Sequence, residues 1–173
     1  MTPWWQVFGW QGFGPVRLHL PPLAVARAVI GAALGLLCAA LVLRVTGGGG
    51  VTLIAPFGAT TFLIFVFPAS PLAQPWPVVI GNTLSALAAL AVLQLGLPGV
   101  AAICLAVALA VLVMALTHAL HPPGGAIAIA TVLAAPDLSF VLTPVVVGSV
   151  ALVLAGLLWH RAMGLPYPPR PAR

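Results

Sequence analysis

The sequence predicts an all-α polytopic membrane protein, with four full transmembrane helices and two short, Pro/Gly-broken helical segments arranged as an internal two-fold repeat. Three observations carry this expectation. Hydrophobic residues make up 62% of the chain and charged residues 4%, with a mean hydropathy of +1.22, which is more apolar surface than one small soluble domain can hide. The apolar stretches are cut by proline and glycine at a few defined places. The second half of the chain also matches the first when shifted by 67 residues.

Taken in order, residues 1–21 are expected to form an interfacial segment. They lack the basic start of a cleavable signal peptide, and Trp4, Trp5, Phe8, Trp10 and Phe13 suit the headgroup level. A single membrane domain follows over 22–160, with repeat halves of about 22–97 and 98–160. Its first span runs from about Pro22 to Thr46, long enough to cross at about 1.5 Å of rise per residue. Gly47 to Gly50 end that span. Val51 to Phe67 is apolar but interrupted at Pro56-Phe57-Gly58, and Pro68 to Pro77 is a turn-rich loop whose Trp76 suits an interface. Val78 to Gly96 is the second span, Pro98-Gly99 the turn, and Val100 to Leu120 the third. A short segment to Leu133, a loop at Pro136-Asp137 and a fourth span from about Phe140 to His160 complete the domain. Residues 161–173 read as a Pro/Arg-rich cytoplasmic tail, disordered or surface-bound.

In the repeat, Pro56 falls on Pro123, Gly58 on Gly125 and Ala59 on Ala126, and Pro77-Val78-Val79 with Gly81 falls on Pro144-Val145-Val146 with Gly148. Each half is then a long helix, a short broken segment and a second long helix. Paired broken segments at matching positions of two halves point to a midplane binding site of the kind secondary transporters use. If the short segments cross, the halves are inverted; if they enter and return, the halves are parallel. Both arrangements put the termini on one side, and Arg17 with Arg161, Arg170 and Arg173 make that side cytoplasmic in a bacterial inner (plasma) membrane.

The chemistry concentrates at Thr117-His118-Ala119-Leu120-His121-Pro122-Pro123-Gly124-Gly125-Ala126, where an apolar run stops and restarts. The two prolines predict that the arriving helix ends near Leu120 or His121, and that the next short helix begins with free backbone N–H groups. Non-helical backbone at membrane depth persists only where protein or a wet cavity satisfies it. The breaks at Pro56-Gly58 and Pro122-Gly125 are therefore expected to face each other or water. No acid lies within any apolar run, Asp137 being the one acid in the chain. A cation would find carbonyls and hydroxyls there, whereas an anion would find helix N-termini, His121, His118 and Arg44. The candidate substrate-binding residues are His121, Pro123, Gly124, Gly125, Gly58, Ala59, Thr60, Thr117 and Asn82, with Arg44 at the pathway mouth or snorkelling to headgroups.

His121 either lines the cavity beside Thr117 on one helical face or caps the last carbonyls of its helix. Asn82 and Ser85 either line the path or bond between helices. His19 and His160 read as interfacial anchors. Cys38 and Cys104 sit in apolar runs without metal or redox spacing and read as small core residues. No metal, cofactor or catalytic residue set is expected. The six arginines, against one acid and no lysine, serve orientation and lipid anchoring rather than nucleic-acid binding. The expected partners are membrane lipid and a small anion, and a homo-oligomer is left open.

The His121-Pro122-Pro123 core, together with Ala55-Pro56-Phe57-Gly58-Ala59-Thr60 and Ser70-Pro71-Leu72-Ala73-Gln74-Pro75, resembles the HPP family of small integral membrane proteins over about residues 20–160. The resemblance implies four membrane-spanning helices. It also implies an anion-transport role, since chloroplast and cyanobacterial members are implicated in nitrite transport. The function expected is thus a transporter or channel for a small inorganic anion, nitrite first. The alternative is a non-transporting structural or regulatory membrane subunit.

Overall fold

The computed structural model describes residues 20–46 and 54–169. The described residues form six α-helices: α1 Pro22–Thr46, α2 Pro56–Val66, α3 Asn82–Leu93, α4 Gly99–Leu116, α5 Pro123–Ala134 and α6 Val147–Ala162. A π-helical turn, Pro77–Gly81, leads into α3, and Val141–Val146, kinked at Thr143 where the backbone is extended, leads into α6. A 3-10 turn, Pro71–Ala73, is capped by the Ser70 hydroxyl, which accepts from the Leu72 amide at 3.3 Å. The expected interfacial aromatics, His19 and Arg17, the Gly47–Gly50 break, Arg170 and Arg173 lie outside the described residues.

Three helical stretches among the described residues are long and apolar enough to cross a membrane: Pro22–Thr46, Gly99–Leu116 and Val141–Ala162. The expected span from Val78 is shorter, because Pro77–Leu93 gives way at Leu93 to a turn closed by Gly96 at φ +62.

Small residues let the helices approach. The buried stripe of α1 is Gly31, Gly35, Ala39 and Leu43, and that of α4 is Ala102, Ala106, Ala110 and Met114, each with four-residue spacing. A Cβ on Gly31 would lie 2.4 Å from the Trp159 indole, and one on Gly35 would lie 2.4 Å from the Phe65 ring. Cys38 and Cys104 stand just off these stripes and are exposed, which corrects their reading as core residues. Glycine and alanine take the core positions instead.

The same contacts fix helix directions. Gly31 near the start of α1 meets Trp159 near the end of α6, while Gly148 at the start of α6 lies under Phe57 of α2 and under Leu43 at the end of α1. Hence α6 runs antiparallel to α1. Phe57 and Phe65 place α2 antiparallel to α1 as well. In the second half, Gly81 just before α3 meets Met114 near the end of α4, so this pair is antiparallel too.

Three further expectations change. The helix α4 ends at Leu116, not at Leu120 or His121. Its terminus is a Schellman turn with His118 left-handed at φ 53, in which Ala119 N donates to Met114 O at 2.8 Å and His118 N to Ala115 O at 3.3 Å. Thr117 and His121 therefore do not share a helical face. His160 is no interfacial anchor: it is buried on the inner face of α6, and its Nε2 donates to Ile64 O at 2.9 Å. Tyr167 folds back from the tail against the His160 ring and is buried, donating its hydroxyl to Ala73 O at 2.8 Å.

Candidate functional site

Both chain breaks converge on one level of the bundle. The first is flanked by Leu43 and Phe57, which cover Gly148; the second is flanked by Met114, Ala119, His121 and Gly124, which surround Gly81. A Cβ on Gly81 would fall 2.5 Å from Ala119 O and 3.0 Å from the His121 Cβ. One residue beyond each glycine, Asn82 and Ser149 meet, Asn82 Nδ2 donating to Ser149 Oγ at 3.0 Å. Both are fully buried.

The two short helices begin alike. In α2, Phe57 N donates to Ile54 O at 2.9 Å and Gly58 N to Ala55 O at 3.0 Å; in α5, Gly124 N donates to His121 O at 2.8 Å and Gly125 N to Pro122 O at 3.0 Å. The prolines at the first helical turn contribute no N–H. Amides expected to be free are thus spent within each turn, because tight turns over the two residues before each proline supply carbonyls at hydrogen-bonding range. What each start presents is the positive end of a helix dipole.

His121 ties these starts together. It is fully buried. Its Nδ1 lies 2.8 Å from Leu72 O and its Nε2 2.9 Å from Thr60 Oγ1. A carbonyl only accepts, so Nδ1 carries the proton, and the neutral ring's Nε2 accepts from the Thr60 hydroxyl. The ring has no N–H left for a ligand. It pins α2, the Pro71–Ala73 turn and the start of α5 to one another.

The other singled-out residues divide by position. Pro123 and Gly124 are buried; Gly125 is half-buried, with nothing within 4 Å of a Cβ placed there. Gly58 and Ala59 are exposed, and Gly58 is equally open. Thr117 is exposed at the end of α4, where its hydroxyl donates to Val113 O at 2.7 Å and its carbonyl accepts from the Trp76 indole at 3.2 Å. It stands apart from the centre. Arg44 is exposed on the last turn of α1, beside Leu43 and so near the level of the breaks. A crevice of about 440 Å³ opens beside the second break, lined by Val107, Val111, Met114, His121, Pro122 and Gly125 among others.

Asp137, the one acid, is exposed in the loop before α6; the Ser139 hydroxyl and amide bond its carboxylate and hold its pKa below the usual carboxylate range. Among the described residues no three His, Cys, Asp or Glu side chains gather to hold a metal.

Sequence reasoning missed Ser149 and the Leu72 carbonyl. The 67-residue shift places Ser149 on Asn82 and could have found it. Leu72 O is backbone from a distant turn and carries no side-chain signal.

A family model described as the HPP transmembrane region matches residues 18–168. Two curated Dictyostelium discoideum proteins, each described as a transmembrane protein, are similar to this chain. One is 35% identical over 116 residues, 62% of this chain and 37% of the relative. The other is 34% identical over 113 residues, 61% of this chain and 40% of the relative. The chain's match thus spans well under half the length of these relatives. No solved structure matches the chain significantly.

Proposed function

The chain belongs to the HPP transmembrane family, and we propose that it is a transporter or channel for a small inorganic anion, with the path passing where its two chain breaks meet. The observation that carries this reading is the meeting of the two chain breaks at one buried level, where Asn82 and Ser149, each next to the glycine on which a break packs, touch each other. Broken helices facing one another inside a bundle are how secondary transporters build a midplane site.

The two halves are related as an inverted repeat. Support comes from the way the halves meet, α3 packing on the turn that precedes α6 and α6 on the turn that precedes α3, as antiparallel equivalents do. It comes equally from packing: α1 lies on α6 as α4 lies on α3, and α2 on α6 as α5 on α3. Asn82 and Ser149, equivalent under the 67-residue shift, touch each other, as residues on a two-fold axis must. An odd number of passes per half leaves both termini on one face, which the arginines make cytoplasmic in a bacterial inner membrane.

The charge distribution selects the ion. The one acid is exposed in a loop, while two helix N-termini and Arg44 lie near the centre. A dehydrated anion gains from both, and a cation from neither. Nitrite is the first candidate, on the family resemblance. A second reading, a non-transporting structural or regulatory subunit, is favoured by the fully bonded His121 ring, which acts as a pin.

Flux into proteoliposomes separates the two. At neutral to mildly alkaline pH, where nitrite rather than nitrous acid dominates, the protein is expected to carry nitrite faster than empty vesicles while excluding sodium and potassium. No anion flux above empty vesicles would leave the structural reading.

A further inference from the structure

The last helix ends in a turn that sends the chain back along it. With Gly164 left-handed at φ +67, its amide donates to Arg161 O at 3.1 Å and Leu165 N to His160 O at 2.8 Å, a Schellman closure. The segment that follows is fastened at Tyr167, which is buried against the His160 ring and donates its hydroxyl to Ala73 O at 2.8 Å. Between this returning segment and the outer face of α6 lies an open groove of about 780 Å³, lined by Leu154, Leu157, Leu158, Arg161, Leu165 and Tyr167 among others. A space of that size is in the range of pockets that hold small molecules.

The chemistry of the groove is divided along its length. Leu154 and Leu158 stand one turn apart and are 52% and 70% exposed, and Leu157 lies one turn before Arg161. The leucines thus make an apolar track of about 10 Å along the helix axis that ends at Arg161. Arg161 is exposed on the closing turn of the stretch Val141–Ala162, which is long and apolar enough to cross a membrane, and its charge therefore sits at headgroup depth. No side-chain carboxylate is there to neutralise it, because the one acid, Asp137, precedes the start of α6 at that helix's opposite end. The returning wall suits an apolar neighbour as well. Pro166 and Pro168, which also line the groove, carry no amide N–H to leave unsatisfied.

We propose that this groove binds one anionic phospholipid, with its phosphate on Arg161 and one acyl chain along Leu154, Leu157 and Leu158. Basic recesses beside membrane helices recognise such headgroups, and a guanidinium matches phosphate through paired N–H donors. A freely diffusing anion would satisfy Arg161 but leave the leucine track unfilled. A zwitterionic lipid would fill the track but bring its own cation beside the phosphate. The two ends of the groove together select an anionic lipid. Because Leu165 and Tyr167 form one wall, the bound lipid holds the returning segment against the Pro71–Ala73 turn, whose Leu72 carbonyl fixes His121. The site is independent of what the protein transports.

The test titrates the full chain in neutral detergent with phosphatidylglycerol or with phosphatidylcholine of the same acyl chains, and reads the melting temperature, which a ligand of the folded state raises. Phosphatidylglycerol should act at about tenfold lower concentration than phosphatidylcholine. Arg161→Gln should erase that difference and Arg161→Lys should keep most of it. Leu158→Trp, which crowds the track without changing charge, should weaken both lipids. Arg27→Gln removes an equal charge at the same end of the bundle, beside Trp159 and Leu165 but outside the groove, and should leave the preference unchanged. Inorganic phosphate should have no effect. If Arg161→Gln does not purify as a monodisperse protein, Leu158→Trp decides. Equal action of the two lipids on the wild type, an undiminished preference in Arg161→Gln, or unaltered lipid response in Leu158→Trp overturns the site. So does an equal loss in Arg27→Gln, which would mean general surface charge, or a shift reproduced by inorganic phosphate, which would assign Arg161 to a soluble anion.

Discussion

Replacing Thr60 by valine removes one hydroxyl from the centre of the molecule and little else. The side chains are nearly the same shape, so packing is kept and the effect isolates a single hydrogen bond. Thr60 is wholly buried, and its hydroxyl is the partner of His121 Nε2 at 2.9 Å. With Nδ1 already donating to Leu72 O, the ring of Thr60→Val is left with a buried, unsatisfied Nε2. Leaving such an atom unpaired costs about 1–3 kcal/mol, or a fall of about 2–12 °C in melting temperature for a chain of this size. Thr60→Ser, which keeps the hydroxyl, should recover most of the loss. His121→Ala removes both bonds and the ring volume, and should cost more than about 3 kcal/mol. The assay is thermal unfolding in detergent followed by tryptophan emission or by size exclusion after heating. Thiol-reactive dyes are unsuitable because Cys38 and Cys104 are exposed in the folded protein. Melting of Thr60→Val within a degree of wild type, with His121→Ala equally stable, would refute the pin.

Gly81→Ala places a Cβ 2.5 Å from the Ala119 carbonyl and should destabilise by about 1–3 kcal/mol, whereas Gly125→Ala meets nothing within 4 Å and should melt within about 0.5 kcal/mol of wild type; equal melting of the two would contradict the close approach at Gly81. Tyr167→Phe removes the hydroxyl that donates to Ala73 O at 2.8 Å and should lower the melting temperature by about 2–6 °C. No change would mean that the C-terminal segment does not hold the Pro71–Ala73 turn.

The sequence announces its punctuation well and its side-chain facing poorly. Proline and glycine act locally, so α1 begins and ends at the expected Pro22 and Thr46, and both short helices start at their prolines. The matching Pro-x-x-x-Gly stretches at 77–81 and 144–148 are legible for the same reason, standing out in an apolar background. The end of α4 was not legible. It depends on His118 adopting a left-handed conformation that glycine usually supplies. Likewise His160 sits at a helix end where anchors are common, but its facing is set by Gly156, one turn earlier, which packs on Ile64. Chemistry at His121 was half visible: a histidine beside two prolines marks a break, yet whether its ring is free depends on Thr60 and Leu72, which arrive from elsewhere in the chain.

An anion that passes where the two breaks meet would be read directly by thiol reactivity at that place. Gly58 and Gly125 are the open positions at the two breaks, with nothing within 4 Å of a new Cβ. Single cysteines are placed at each in a Cys38→Ser, Cys104→Ser background, and labelled in proteoliposomes with negatively and positively charged methanethiosulfonates of similar size. The anionic reagent should react faster than the cationic one, and nitrite should slow it while sodium does not. Faster reaction with the cationic reagent at both positions, or labelling indifferent to nitrite, would contradict an anion path through this centre.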